Sequence, residues 1–150
     1  MSLKERVRDD LKSAMKGGDV FSLGVLRMVT AALNNKSIEK RGKGLPEELT
    51  EDEIIEIMGR ESKKRQDAAG VYAQGGRADL AEKEKKEAAF IQVYLPAQMS
   101  REEIRKKVEE VITRLDTKDF GAIMKEAMKE LKGKTDGKVV GEIIKEKIGS

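Results

Sequence analysis

The sequence predicts an all-α protein made of two helical bundles, about four helices followed by a three-helix bundle. Apolar residues recur every three to four positions in one segment after another, and no segment alternates between apolar and polar residues as a half-buried strand does. Charged residues make up 39% of the chain and aromatic residues only 3%, which is typical of exposed helices with narrow aliphatic seams. A proline at position 96 separates the two groups, so we assign residues 1–96 to an N-terminal bundle and residues 97–150 to a C-terminal bundle.

Glycines and capping residues delimit the first two helices. An apolar stripe over residues 3–15 stops at the Gly-Gly pair at 17–18, which is a typical helix terminus. Asp19 is placed to cap a second helix, whose apolar stripe runs over residues 25–38. The segment KSIEKRGKGLPEEL at 36–49 contains two glycines and a proline, so we predict a loop or a frayed helix end there.

A capping pattern and a proline delimit the next two helices. Thr50 followed by Glu53 matches a capping box, which predicts a third helix from there to the Gly-Gly pair at 75–76. A fourth helix is predicted to begin near Asp79. It should end at Leu95, because a proline disfavours helical geometry in the residue before it.

Three more helices are predicted after the central proline. Ser100 and Glu103 repeat the capping-box pattern, and Asp119 is placed to cap the next helix. Thr135 and Asp136 are alternative caps for the last one.

The turn before the last helix contains Gly-Lys-Thr at 133–135, which is also how a phosphate-binding loop ends. That loop requires a glycine at position 128, where this chain has Met128, and it must follow a strand rather than an amphipathic helix. We therefore interpret GKTDGK as a helix end, a tight turn and a helix start.

The residue types that are missing narrow the possible chemistry. The chain has no cysteine and no histidine, so it holds none of the common zinc sites and no Ser-His or Cys-His nucleophile pair. We expect no catalytic residue, no metal and no cofactor. No window approaches the roughly 18 apolar residues that span a bilayer, and the charged N-terminus is unlike a signal peptide. These features predict no membrane partner and a cytoplasmic location.

Two carboxylates, Glu84 and Glu87, share the apolar stripe of the predicted fourth helix, and Arg65 occupies the stripe of the third. An antiparallel hairpin of these helices brings Arg65 within reach of either carboxylate. We interpret the three residues as structural ion pairs that set helix register. The alternatives are a carboxylate pair for acid–base catalysis and a Mg²⁺ site that borrows ligands from water or substrate phosphates.

Two basic clusters are candidate contacts for nucleic-acid phosphates. The first, which we call the basic segment, comprises Lys40, Arg41 and Lys43. The second, which we call the lysine corner, comprises Lys129, Lys132, Lys134 and Lys138. The alternative for both is a solvated surface, because the net charge is only +3 and no aromatic residue is interleaved for base stacking.

Three segments resemble the YqeY family, also called GatB/YqeY-like. They are LGVLRMVTAALNNKSIEK at 23–40, RESKKRQDAAGVYAQGGRADLAEKEKKEAAFIQVYLPAQMSREEI at 60–104, and DFGAIMKEAMKELKGKTDGKVVGEIIKEKI at 119–148. Together these segments cover most of the chain.

The family is similar to the C-terminal tail of the B subunit of tRNA-dependent amidotransferases, which amidate Glu-tRNA(Gln) and Asp-tRNA(Asn). The resemblance implies two helical bundles and a non-catalytic module that contacts tRNA, with the lysine corner as a tRNA-facing surface. It implies tRNA as a partner, together with an amidotransferase or an aminoacyl-tRNA synthetase. Two other functions stay open: a protein–protein interaction module without a nucleic-acid role, and a carboxylate-based enzyme that uses Glu84 and Glu87.

Overall fold

A computed structural model describes residues 1–149, and within them it confirms the all-α prediction, with seven helices and no strand. The helices are α1 (Leu3–Gly17), α2 (Val20–Gly42), α3 (Glu51–Gln74), α4 (Ala78–Gln92), α5 (Arg101–Leu115), α6 (Phe120–Leu131) and α7 (Gly137–Ile148). The chain divides into two compact units, of which the first is Met1–Leu95 and the second begins at Pro96. No helix in the described part of the chain is both long enough and apolar enough to cross a membrane.

Side-chain caps begin six of the seven described helices. Thr50 and Glu53 form the predicted capping box, in which each side chain accepts a hydrogen bond from the other residue's backbone N–H. Of the two alternative caps for α7, Asp136 is the one used, since its carboxylate accepts from the Lys138 N–H at 3.1 Å. Helix α4 lacks a side-chain cap, because Arg77 occupies its N-cap position.

The structure refines two predicted helix boundaries. Helix α2 continues as far as Gly42, into the segment predicted as a loop or a frayed helix end, and Lys43 pairs with Glu39 one turn back; residues 43–49 are not helical. Helix α4 ends at Gln92 rather than at Leu95. There the last N–H groups bond to carbonyls three residues back, as in Leu95 N–H to Gln92 O at 3.0 Å, and this tightens the chain into a turn before Pro96.

The first unit combines an aliphatic core with a close pairing of α3 and α4. Leu26, Met58 and Ile91 from three different helices are at most 1% exposed. Small buried side chains lie along the α3–α4 contact, and Ser62 Oγ donates to the Ala88 carbonyl across it at 3.2 Å. The small side chains allow the two backbones to approach, which brings polar groups of α3 and α4 within ion-pair distance.

The second unit is a three-helix bundle in which each helix supplies three core residues. They lie at helical spacing and are at most 1% exposed: Ile104, Val108, Val111, Ile123, Ala127, Leu131, Val140, Ile143 and Ile144. The α6–α7 turn passes through Gly133, whose φ of 79° lies in the left-handed region that favours glycine.

Candidate functional site

Arg65 is the centre of a half-buried ion-pair cluster between α3 and α4. Its side chain is only 10% exposed, and its Nη1 atom donates to both the Glu61 carbonyl and the Glu61 carboxylate at 2.9 Å. Its Nε atom lies 3.3 Å from the Glu87 carboxylate, whose side chain is 13% exposed. Glu84 makes no ion pair within residues 1–149. The structure thus pairs Arg65 with Glu87, as predicted, and also with Glu61. It does not pair Arg65 with Glu84.

The Glu61 contribution could have been found in the sequence, because Glu61 and Arg65 are spaced i, i+4 on one helix face. The guanidinium lies between two carboxylates, an arrangement that suits a structural ion pair that sets helix register. No group of three or more acidic side chains in the described residues is arranged to hold a metal ion.

A second polar contact, which sequence reasoning missed, joins Tyr94 to α1. The Tyr94 hydroxyl donates to the Asp10 carboxylate, and the Arg6 guanidinium lies 4.6 Å from the centre of the Tyr94 ring. Burial and then the bond to Asp10 raise the pKa of Tyr94 above its ordinary value of 10.0. Because the partners are 84 residues apart, no local pattern indicates the contact.

Each member of the basic segment already has a carboxylate partner. Lys40 lies in the last turn of α2 and donates to Glu53 at 2.7 Å, with its side chain only 12% exposed. Arg41 pairs with Glu47 at 3.4 Å, and Lys43 pairs with Glu39 at 2.9 Å. Phosphate contact here would require exchange of these carboxylates for phosphate oxygens.

The Lys40–Glu53 pair predicts a pH-dependent contribution to stability. The Lys40 hydrogen bond, followed by the Thr50 N–H, lowers the pKa of Glu53 from 4.5 to about 2. Its folded-state pKa lies below the unfolded value, so the contribution is complete above about pH 4.5 and is lost as the pH falls toward 2. Glu53→Gln, which keeps the capping-box geometry, should lower the urea midpoint at pH 7.

The difference between the wild-type and Glu53→Gln midpoints should then shrink as the pH is lowered from 5 to 3. Glu48→Gln is the matched control, because Glu48 is exposed and its carboxylate makes no ion pair in the described residues. A Glu53→Gln deficit that stays constant over this range would contradict the assigned pair.

The lysine corner surrounds a turn that is held in place by backbone hydrogen bonds. The Met99 N–H donates to the Lys134 carbonyl at 2.9 Å, and Gln98 donates to the Gly133 carbonyl at 3.3 Å. The side chains of Lys132, Lys134 and Lys138 are exposed around it.

Two acidic side chains near the lysine corner, Glu126 and Glu130, form ion pairs. Lys129 donates to Glu126 at 2.7 Å, so this member of the corner is already paired. Glu130 interacts with Lys107 at 3.5 Å and with Arg114 at 3.7 Å. The exposed lysines of the corner therefore lie around a turn whose backbone is fixed by hydrogen bonds.

Comparison with known proteins places these features in a family. The model of the family described as "Yqey-like protein" matches residues 4–148. The chain is 30% identical to "Altered inheritance of mitochondria protein 41, mitochondrial" of Clavispora lusitaniae over 137 residues, which cover 87% of this chain and 76% of that protein. It is also 30% identical to the protein of the same name from Kluyveromyces lactis over 112 residues, which cover 73% of this chain but only 58% of the relative.

The names of these relatives correct one prediction. Both are named as mitochondrial proteins, which contradicts the predicted cytoplasmic location. The prediction rested on composition, and a helical, charged, cysteine-free composition does not distinguish the two compartments. Because the family match extends over nearly the whole chain, the chain belongs to the family of Yqey-like proteins.

Proposed function

We propose that this chain is a non-catalytic accessory module that binds tRNA through the lysine corner. The observation that carries the proposal is the set of exposed lysines, Lys132, Lys134 and Lys138, around one backbone-fixed turn at the start of α7. Lysines at a helix N-terminus suit the phosphate oxygens of a nucleic-acid backbone. The resemblance to the tail of the amidotransferase B subunit supports tRNA as the nucleic acid, and an amidotransferase or an aminoacyl-tRNA synthetase as the protein that acts beside it.

The basic segment has a secondary role in this proposal. Its three cations are held by Glu53, Glu47 and Glu39, so contact with phosphate there costs an existing ion pair. Arg41 exchanges its partner most readily, because both it and Glu47 are more than 60% exposed and surface pairs of this kind contribute little.

The test is a titration of purified protein against labelled total tRNA at several salt concentrations, with duplex DNA for comparison. We expect the logarithm of the affinity to fall linearly with the logarithm of the salt concentration. Replacing Lys132, Lys134 and Lys138 together with alanine should weaken binding by about tenfold or more and lower the salt slope by about 2 to 3.

A matched control removes three charges elsewhere. Lys83, Lys85 and Lys86 are exposed on α4 and make no ion pair in the described residues, so their joint replacement with alanine changes the net charge equally. Equal losses in both variants would show an effect of net charge and refute the assignment to the corner. If the wild-type protein does not bind tRNA even at low salt, the tRNA proposal fails, and a protein partner should be sought in nuclease-treated lysate.

A further inference from the structure

The first unit contains an open groove, of whose lining only Arg41 belongs to the basic segment. Its volume is about 710 Å³, and it lies between α1, the C-terminal half of α2 and the segment that precedes α3. Sites for small molecules typically have volumes of about 300 to 1,000 Å³. The groove is therefore large enough for a small organic ligand.

The groove has an apolar floor and an exposed apolar wall. Val7 and Ile54 on the floor are at most 3% exposed, and Leu49 beside them is half-buried. Ile38 on the wall is 56% exposed, so a ligand that covers it would remove apolar surface from water.

The α1 rim of the groove carries positive charge without a carboxylate partner. Lys4 and Arg8 are exposed, one helical turn apart, and neither forms an ion pair within residues 1–149. Arg41, which also lines the groove, is instead paired with Glu47 at 3.4 Å. One part of the rim thus attracts an anion, while the carboxylates of the α2–α3 segment disfavour a ligand with negative charge along its whole length.

Neutral polar side chains follow α2 along the groove. Thr30, Asn34 and Ser37 lie at intervals of four and three residues, which places them on one helix face. The lining of α2 from Thr30 to Arg41 extends about 16 Å at 1.5 Å per residue, which is about the length of a twelve-carbon chain.

We propose that this groove binds a medium-chain carboxylate, with the carboxylate at Lys4 and Arg8 and the hydrocarbon chain along Ile38 and Leu49. The single carboxylate of such a ligand can pair with Lys4 and Arg8, and its hydrocarbon chain can contact the apolar floor. A protein partner fits less well, because a stable protein interface buries about 800 Å² on each side and the floor residues are already almost fully buried.

The first experiment is isothermal titration calorimetry of the full chain with decanoate below its micelle concentration. Hexanoate and decyltrimethylammonium are titrated for comparison. We expect saturable binding of one decanoate, at least tenfold weaker binding of hexanoate, and no binding of the cation. Absence of saturable decanoate binding, or equal binding of the cation, would overturn the proposal.

Charge reversal on α1 tests whether the carboxylate of decanoate binds at Lys4 and Arg8. Lys4→Glu with Arg8→Glu should weaken decanoate binding at least tenfold. Lys12→Glu with Lys16→Glu is the matched control, with the same helix, spacing and change in net charge outside the groove, and it should leave the affinity unchanged. Equal losses in the two variants would contradict the proposed site.

A measurement on the wild-type protein does not depend on the folding of any variant. Decanoate should shift the backbone amide resonances of Thr30, Asn34 and Ser37 in ¹H–¹⁵N spectra. Shifts confined to residues outside the groove would refute the proposal. The groove shares no residue with the lysine corner and only Arg41 with the basic segment, so binding of decanoate and binding of tRNA at the corner can fail separately.

Discussion

Replacing Arg65 with alanine should lower the free energy of unfolding by about 3 to 5 kcal/mol. The substitution leaves the carboxylates of Glu61 and Glu87, which are 14% and 13% exposed, without their shared guanidinium. It also removes the hydrogen bond to the Glu61 carbonyl and the contact with the Met28 sulfur at 3.2 Å. Urea unfolding followed by circular dichroism at pH 7 measures the loss.

Arg60→Ala is the control for this result. Arg60 lies on the same helix and pairs with Glu56 at 2.7 Å, but its side chain is 70% exposed, so the loss should be no more than about 1 kcal/mol. A similar loss of unfolding free energy in both variants would mean that the burial of Arg65 does not increase the contribution of its ion pairs to stability.

The two glutamates of α4 should respond differently to neutralisation, and this separates the structural role from the carboxylate-enzyme alternative. Glu87→Gln should destabilise the protein, because Glu87 lies 3.3 Å from Arg65. Glu84→Gln should be nearly neutral, because Glu84 makes no ion pair in the described part of the chain. An enzymatic role would instead require that both substitutions abolish an activity while stability is retained.

Replacing Ile144 with alanine should cost about 2 to 5 kcal/mol, because the lost side chain leaves a cavity in the core of the three-helix unit. Ile144 is 0% exposed and lies among the core residues contributed by α5 and α6. A bundle of this size has few other core side chains that can move to fill the space. The loss is measured from urea unfolding followed by circular dichroism.

Ile38→Ala is the control, since Ile38 is 56% exposed on α2 and the same change there removes little buried surface. It should change the unfolding free energy by no more than about 0.5 kcal/mol, because alanine also has the higher helix propensity. A loss below about 1 kcal/mol for Ile144→Ala would contradict the assigned core position.

Local patterns were sufficient to predict the helices. The repeat of apolar residues and the Thr50–Glu53 capping box identify elements because they depend on residues only three or four positions apart. Boundaries were less predictable where local signals conflict. In the segment at 36–49 the glycines and the proline suggested a loop, whereas the i, i+4 pair between Glu39 and Lys43 accompanies a continuous helix.

The partners of the charged side chains could not be predicted in the same way. The sequence placed Arg65 near two carboxylates of α4, but the register of the α3–α4 hairpin selected Glu87. Lys40, a candidate phosphate contact by composition, lies against Glu53 because the chain folds back between α2 and α3. The sequence does not distinguish a lysine that forms an ion pair from one that does not. Only the positions of neighbouring helices show which lysines can contact a ligand.

Helix formation in this protein is therefore specified locally, whereas its surface chemistry is specified by contacts between distant residues. Composition and periodicity were enough to predict an all-α chain, because helix formation depends on residue types and short spacings. The tertiary structure decided that Arg65 joins Glu61 and Glu87, that Tyr94 donates to Asp10, and that a groove with unpaired cations opens beside α1. The physical reason is that hydrogen bonds and ion pairs act over a few ångströms, and only packing brings residues such as Asp10 and Tyr94 that close together.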